Sequence, residues 1–414
     1  MTMQLLTLLA LVLAIFIGFK RKVNTGLVSI LFAFVLGIYI LKMPARTVIS
    51  GFPTSLAITL MGMTFLFAVA KVNGTLTVLA EKVSSMAKGN IKLLPIIFFI
   101  MSAAVAAVGP GPVVTTALMA PLALSIADKE DMPPVLMACA VISGSLAGGL
   151  SPLSPSGIIA DTLAAKIGVT NYMPIFFCVM IASTLQGIAF YLFFGGLKLK
   201  NKSLNIADTA SVSFDSAQKA TLAVITLVVV GILFFKTDIG LAAFAGGTLL
   251  LLVYPKLQKE AVANISWDTI LLIGGVAMLI NVIEKAGGIK ALIDFFSSIM
   301  TPALSTSVMA VIAGLMSTVS SASGVVMPTL IPTSAGIAQN MGSSVSAASI
   351  VAAIVVGAHA VTYSPFSTLG ALSLAAAGEK ADKGKLFLQL IMLEIANVAF
   401  AAILGVLGFY ALAG

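Results

Sequence analysis

"SPLSPSG", running from Ser151 to Gly157, interrupts a long apolar stretch with two prolines and a glycine. A second copy, "SPFSTLG", stands at Ser364 to Gly370 between two further apolar stretches. Proline lacks the backbone donor that a helix interior needs, so neither motif continues the helix that precedes it. Inside a bilayer such an interruption is tolerated only where its backbone is buried in protein or lines a watery cavity. The two copies are therefore either two kinks or the two halves of one site.

The surrounding sequence decides the class of protein. Of 414 residues 59% are hydrophobic and 9% charged, which excludes a soluble globular domain. The stretch "MTMQLLTLLALVLAIFIGFKRK" carries its charges after the apolar run, the reverse of a secretory signal peptide, and reads as a retained first span. Cys139 and Cys178 both fall in apolar helical stretches and supply neither a disulfide framework nor a metal site. The net charge of +8 comes from lysines scattered in short loops, the pattern of a membrane protein's inner face rather than a nucleic-acid surface.

A crossing needs ~20 apolar residues. Candidates lie near 2–19, 24–41, 53–70, 135–167 (interrupted), 172–196, 220–236, 238–254, 267–284, 344–378 (interrupted) and 386–412, which makes ten. Two further pairs, 92–106 with 112–127 and 303–318 with 325–340, are too short to cross singly and turn at Gly, Pro or Ser, so they read as re-entrant hairpins. Placing Lys20, Arg21 and Lys22 inside carries "DKED", "KLKNK", "PKLQKE" and "GEKADKGK" inside as well. Only Lys42, Arg46, Lys166, Lys236, Lys285 and Lys290 then lie outside, of 23 basic residues. Both termini come out on the outer face. The hairpin near residue 109 enters from the cytoplasm, and the one near 322 from the other side.

The halves match at a steady spacing: "AKVNGTL" (70–76) with "EKAGGIK" (284–290), "GPVVTTALMAP" (111–121) with "ASGVVMPTLIP" (322–332), and the two Ser-Pro motifs with each other. The expected organisation is N-terminal scaffold helices in 1–52 and a first repeat in 53–197, with hairpin 92–127 and broken helix 135–167. A cytoplasmic linker follows in 198–219, then scaffold helices in 220–266. The second repeat spans 267–414, with hairpin 303–340 and broken helix 344–378. The fold class is thus an all-α polytopic membrane protein with inverted repeats. That is the architecture of secondary transporters, in which interrupted helices mark the midplane site.

A broken helix offers free N–H groups at the start of its second half and free carbonyls at the end of its first. The former favour an anion and the latter a cation. Candidate substrate contacts are Ser151, Ser154, Ser156, Ser364, Ser367 and Thr368 at the breaks, with Thr115 and Ser323 from the hairpin turns "VGPGPVVTT" (108–116) and "VSSASGVV" (319–326). Candidate ion contacts are Gly109, Gly111, Gly149 and Gly324, where backbone can be approached closely, with Ser321 and Thr362. The only arginines, Arg21 and Arg46, lie at membrane edges, so an anion at depth is held by dipoles and hydroxyls.

His359, the sole histidine, stands five residues before Ser364, and its repeat counterpart is Leu146. It can donate to a carboxylate, carry a proton or simply bond within the bundle. Asp268 fits a helix N-terminus, whereas Asp161 and Glu394 suit pairing with Lys166 or polar neighbours.

"ISWDTILLIGGVAMLINVIEKAGG", the hairpin with its Gly-rich broken helix, and the two-fold repeat resemble the ion transporter superfamily over most of the chain. Within it the chain is most similar to the malonate and dicarboxylate carriers of the MatC type, relatives of the divalent-anion/sodium symporters. The resemblance implies a homodimer with a fixed scaffold and an elevator-like transport domain, and a small dicarboxylate such as malonate or a C4-dicarboxylate carried with Na⁺. The relatives' hairpin Ser-Asn-Thr motif falls on Gly111-Pro112-Val113 and Ala322-Ser323-Gly324 and is matched by neither. Their broken-helix motif falls on Gly148 to Gly157 and His359 to Gly370, where it is better kept.

The expected function is thus a symporter in the inner membrane of a bacterium, not an enzyme, with no cofactor beyond Na⁺ as coupling ion and with lipid, substrate and a second copy as partners. The alternatives are a proton-coupled carboxylate symporter and a cation/proton antiporter of the same fold, for which Asp161 is the carboxylate nearest the site. A membrane enzyme lacks a dyad or metal cluster, and a channel does not suit a sealed midplane site.

Overall fold

The computed structural model describes residues 3–84, 90–199, 213–235, 237–318, 320–342, 345–378 and 380–414. Among them every regular element is helical. The first half runs α1 (Met3–Arg21), α2 (Thr25–Phe34, continued by a π-helical turn Val35–Ile40), α3 (Ala45–Ile49), α4 (Thr54–Val72), α5 (Thr75–Ser84), α6 (Leu93–Val108), α7 (Gly111–Lys129), α8 (Pro134–Gly149), α9 (Pro155–Lys166) and α10 (Met173–Phe193). The second runs α11 (Ser216–Phe235), α12 (Ile239–Val253), α13 (Gln258–Ala263), α14 (Trp267–Lys285), α15 (Gly288–Ile299), α16 (Ser305–Thr318), α17 (Met327–Leu330), α18 (Ser334–Met341), α19 (Ala347–Ala360), α20 (Thr368–Ala375) and α21 (Lys383–Val406). The expected linker 198–219 lies mostly outside the described residues.

Local chemistry sets the ends of these helices. Asn24 caps α2 by accepting from Gly26 N at 2.8 Å, and Asp238 caps the equivalent α12 by accepting from Leu241 N at 2.8 Å. Each satisfies one of the donors a helix start leaves free. Asp268 sits in the first turn of α14, where the helix dipole favours it.

The equivalence of the halves is helix for helix. Starts of α1 and α11, α2 and α12, α4 and α14, α5 and α15, α6 and α16, α8 and α19, α9 and α20, and α10 and α21 are separated by 210 to 214 residues. The same spacing also relates the helices of 1–52 to those of 220–266 and just before them. Among the described residues each half repeats the same order of elements: two apolar helices, a long helix, a hairpin, a broken helix and a last long helix.

Six stretches are long and apolar enough to cross alone: α4, α7, α10, α14, α19 through α20, and α21. The inclusion of α7 differs from the expectation of a short hairpin arm; it is an unbroken 19-residue helix despite Pro121. Its counterpart in the second hairpin is instead split into a π-helical turn (Ala322–Val326), α17, a 3₁₀ turn (Ile331–Thr333) and α18. Pro328 and Pro332 fall within that region, and each lacks an amide donor.

Two packed groups result. In one, helices are exchanged between halves: α4 lies on α12 and α14 on α2. Both crossings are close because a glycine meets a backbone carbonyl, Gly62 against Gly240 O and Gly275 against Gly26 O. Small residues are what allow helices in lipid to approach so closely. In the other group each hairpin's first arm lies on the broken helix of its own half, Gly144 against Phe99 O and Gly357 against Ala310 O. Across the halves, the equivalent Gln186 and Asn397 bond to each other, Nε2 to Oδ1 at 3.2 Å, and Tyr363 Oη lies 2.8 Å from Ser143 Oγ.

Candidate functional site

The two Ser-Pro motifs have the same backbone. In the first, Ser154 N donates to Ser151 O (3.0 Å) and Ile158 N to Ser154 O (2.8 Å). In the second, Ser367 N donates to Ser364 O (2.9 Å) and Ala371 N to Ser367 O (2.8 Å). Ser154 and Ser367 are both extended N-caps, with φ near −90° (−91° and −90°), and neither makes a side-chain capping bond. Leu153 N reaches Ser151 Oγ and Phe366 N reaches Ser364 Oγ, each at 3.3 Å. The glycine that closes each motif is required by contact: a Cβ on Gly157 would overlap Ser151 O, and one on Gly370 would overlap Ser364 O and Tyr363 O.

Identical backbones nevertheless meet different neighbours. In the first half the motif is packed. Ser154 is fully buried and donates to Gly149 O, while Ser151 Oγ donates to Ala107 O of the first hairpin at 2.5 Å. Gly149 lies against the ring of Pro112, and Gly111, at φ +72°, faces Ser154 and Pro155. Gly109 faces the Phe67 ring, and Thr115 is buried with no hydrogen-bond partner among the described residues.

In the second half the motif opens into a cavity of about 300 Å³. Its walls are Ser364, Ser367, Thr368 and Leu369 of the break, His359, Val361 and Thr362 before it, and Ser317, Thr318, Ser320, Ser321 and Ser323 of the second hairpin. Ser156, Leu146, Pro112 and Val113 of the first half close the remaining side. Phe366 stands at the edge, largely exposed and edge-on to Phe387.

Of the substrate contacts expected from sequence, the structure brings Ser156, Ser364, Ser367, Thr368, Ser323 and His359 together and leaves Ser151, Ser154 and Thr115 outside. Of the ion contacts, Ser321 and Thr362 line the cavity, whereas Gly109, Gly111, Gly149 and Gly324 do not; the open flank of Gly324 is filled by Leu272. Ser317, Thr318 and Ser320 were not among the expected contacts. The hydroxyl-rich run "STVSSAS" from Ser317 was the signal for them, since it begins before the turn itself.

No Asp, Glu, Lys or Arg lines this cavity. Its polarity comes from hydroxyls and from the start of α20, whose first N–H groups have no intrahelical acceptor. Several hydroxyls are engaged by backbone: Thr318 with Gly314 O (3.3 Å), Ser320 with Met316 O (2.6 Å), Thr362 with His359 O (2.7 Å), and Ser321 accepting from Gly324 N (3.1 Å). Each hydroxyl oxygen keeps acceptor capacity beyond these bonds, the chemistry suited to a small hard cation. Ser367 and Thr368 have no side-chain partner among the described residues and flank the helix start, the end that favours an anion. Asp161, on α9, is half-buried and outside the cavity wall, and no ion pair joins it to Lys166 among the described residues.

Six to eight apolar spans among the described residues, with two hairpins and two broken helices meeting at an uncharged polar cavity, define a multi-pass membrane protein built as an inverted repeat. Residues 1–149 match the model of the family described as dicarboxylate carrier protein MatC N-terminus, which shows the resemblance to MatC-type carriers over that part of the chain. Among solved structures, the Alcanivorax borkumensis YdaH transporter, described as having an unusual topology, is similar over 99% of this chain and 99% of its own. The TM-score is 0.61 at 14% identity, a likeness of fold. No curated protein matches.

Proposed function

We propose that the chain is a secondary active transporter that carries a small dicarboxylate, malonate or a C4-dicarboxylate, with Na⁺ as the coupling ion. The observation that carries this reading is the cavity at the start of α20: about 300 Å³, rich in hydroxyls, without a formal charge of its own, and bounded by an uncapped helix N-terminus. A helix start with flanking hydroxyls can hold a carboxylate without a guanidinium, since its N–H groups and dipole both face the anion. The inward-facing oxygens of Ser317, Ser320, Ser321 and Thr362 are the proposed cation side. The MatC-type match over residues 1–149 supports the substrate class.

In this reading the exchanged helices α2, α4, α12 and α14 belong to the scaffold, and the hairpins with the broken helices move against them as an elevator in a homodimer. The broad apolar exposure of α11 and α12, with Leu227, Phe234, Leu249 and Leu252 all more than half exposed, fits a face covered by lipid or a second copy. In this reading the membrane is a bacterial inner membrane, and the distribution of basic residues supports placing both termini outside.

The test is a thermal-stability screen of the purified protein with mono-, di- and tricarboxylates in Na⁺ or K⁺ medium. A ligand that binds only the folded state at a hundred times its Kd stabilises by about 2.7 kcal/mol. Stabilisation by malonate or succinate that is larger in Na⁺ is expected. Stabilisation by monocarboxylates or amines alone, or equal effects in both salts, would overturn the substrate class or the coupling ion respectively.

A further inference from the structure

A second cavity of about 300 Å³ lies between α6, α8 and α10, where Ile96, Ile100 and Ile188 are exposed at its edges. Its floor is small, with Ala140 and Gly187, and its polar groups are turned away. Thr184 Oγ1 donates to Met180 O at 2.7 Å, and Tyr191 Oη donates to Lys92 O at 3.2 Å. One end of this apolar groove is basic. On α6 the lining residues Pro95, Ile96, Phe99 and Ile100 share a helical stripe with half-buried Lys92, three residues before Pro95. Tyr191 joins that end to the turn Gly196–Lys198, since Gly196 lies against its ring, and Lys198 is exposed there.

Hydrocarbon alone would fill the groove but leave the two lysines unanswered. Among the described residues neither makes an ion pair, and α6, α8, α10 and the turn carry no acidic side chain. From Lys92 to Ile100 the stripe runs ~12 Å at 1.5 Å per residue. That falls within one leaflet, about half of a ~30 Å hydrocarbon core. We propose that the groove holds an acyl chain of an anionic phospholipid whose phosphate rests on Lys92 and Lys198. With both termini outside, this end of the groove stands at the inner face, whose leaflet carries the negative surface potential.

The second half shows that neither feature is a requirement of the fold. Val398 follows Asn397 as Gly187 follows Gln186, and it packs on Gly314, so a side chain stands where the first half leaves space. Leu304 precedes α16 as Lys92 precedes α6, and Ala411 stands three residues past the left-handed Gly408 as Lys198 does past the left-handed Gly195. Groove and charge therefore occur together in one half and are replaced together in the other.

Native mass spectrometry of the delipidated full-length protein gives Kd for the first bound dioleoylphosphatidylglycerol and, with the same chains, for dioleoylphosphatidylcholine. Neither measurement needs a transport substrate. The wild type is expected to bind the anionic lipid more tightly. Each lysine contributes about fivefold, so Lys92→Gln combined with Lys198→Gln should bring the two lipids to nearly equal Kd. Gly187→Val places the second half's residue in the groove, and excluding two CH₂ groups of the chain should weaken phosphatidylglycerol about tenfold. Thr184→Leu fills the same groove and replaces Gly187→Val should that variant not fold, as judged by elution profile and melting. Equal Kd for the two lipids in the wild type, a preference unchanged in the double lysine variant, or phosphatidylglycerol binding unchanged in the groove variants would each overturn the inference. Glycerol 3-phosphate competing as well as the intact lipid would overturn it too, since the chain would then contribute nothing.

Discussion

Replacing Gly370 by alanine tests the geometry of the second break. A Cβ at this position would overlap Ser364 O and Tyr363 O, both backbone atoms, and it would crowd the Ser364 carbonyl carbon at 2.5 Å. Backbone cannot move aside as the end of a flexible side chain can, so the start of α20 must shift. Forcing a methyl into a filled site of this kind costs about 1–3 kcal/mol. If the displaced helix start loses that much of its hold on a carboxylate, KM for malonate rises about tenfold for each 1.4 kcal/mol. Gly157→Ala meets the same obstruction at Ser151 O, but the first break contributes only Ser156 to the cavity. It should therefore lower the melting temperature by a similar amount with a much smaller rise in KM. Gly384→Ala, at the exposed start of α21 with only Asp382 Oδ1 at 3.4 Å, is the control and should be neutral or slightly stabilising. The assay is initial uptake of radiolabelled malonate into proteoliposomes, beside thermal melting in detergent. Equal KM effects from Gly157→Ala and Gly370→Ala, or none from Gly370→Ala in a folded protein, would show that the start of α20 does not hold the substrate.

Ser367→Ala, which removes an unengaged hydroxyl beside the start of α20, should raise KM severalfold with little change in melting. Ser154→Ala, whose hydroxyl is buried on Gly149 O, should instead cost about 1 kcal/mol of stability, read by the same melts, and leave KM nearly unchanged. Tyr363→Phe strands the Ser143 hydroxyl in a buried contact between the halves, and a loss of about 1–3 kcal/mol by denaturant-dependent melting is expected. Gly62→Leu should separate α4 from α12 at the Gly240 carbonyl, costing 3 kcal/mol or roughly that order, with aggregation visible by size-exclusion chromatography.

The breaks were legible because proline and glycine in an apolar run leave few options, and "SPLSPSG" and "SPFSTLG" do adopt one backbone. Hydrophobic length picked out the apolar helices, but only six stretches among the described residues are long enough to cross alone, and α7, expected as a hairpin arm, is one of them. What the motif could not reveal was which copy faces open space. Ser154 and Ser367 occupy equivalent positions with matching φ, yet one is sealed by Pro112 and Gly149 and the other is not; that difference belongs to the partner hairpins. The first two helices of each half share lipid-facing composition rather than sequence, and their equivalence lies in paired close contacts such as Gly26 with Gly275 and Gly240 with Gly62. The second hairpin's split arm was signalled by Pro328 and Pro332, but a hydrophobic count over 325–340 passes over them.

The most direct measurement is accumulation of radiolabelled malonate by proteoliposomes under an imposed inward Na⁺ gradient, compared with K⁺ in its place. Accumulation above the external concentration is expected with Na⁺, diminished in Ser367→Ala. Uptake that only equilibrates, or that proceeds equally in K⁺, would contradict it.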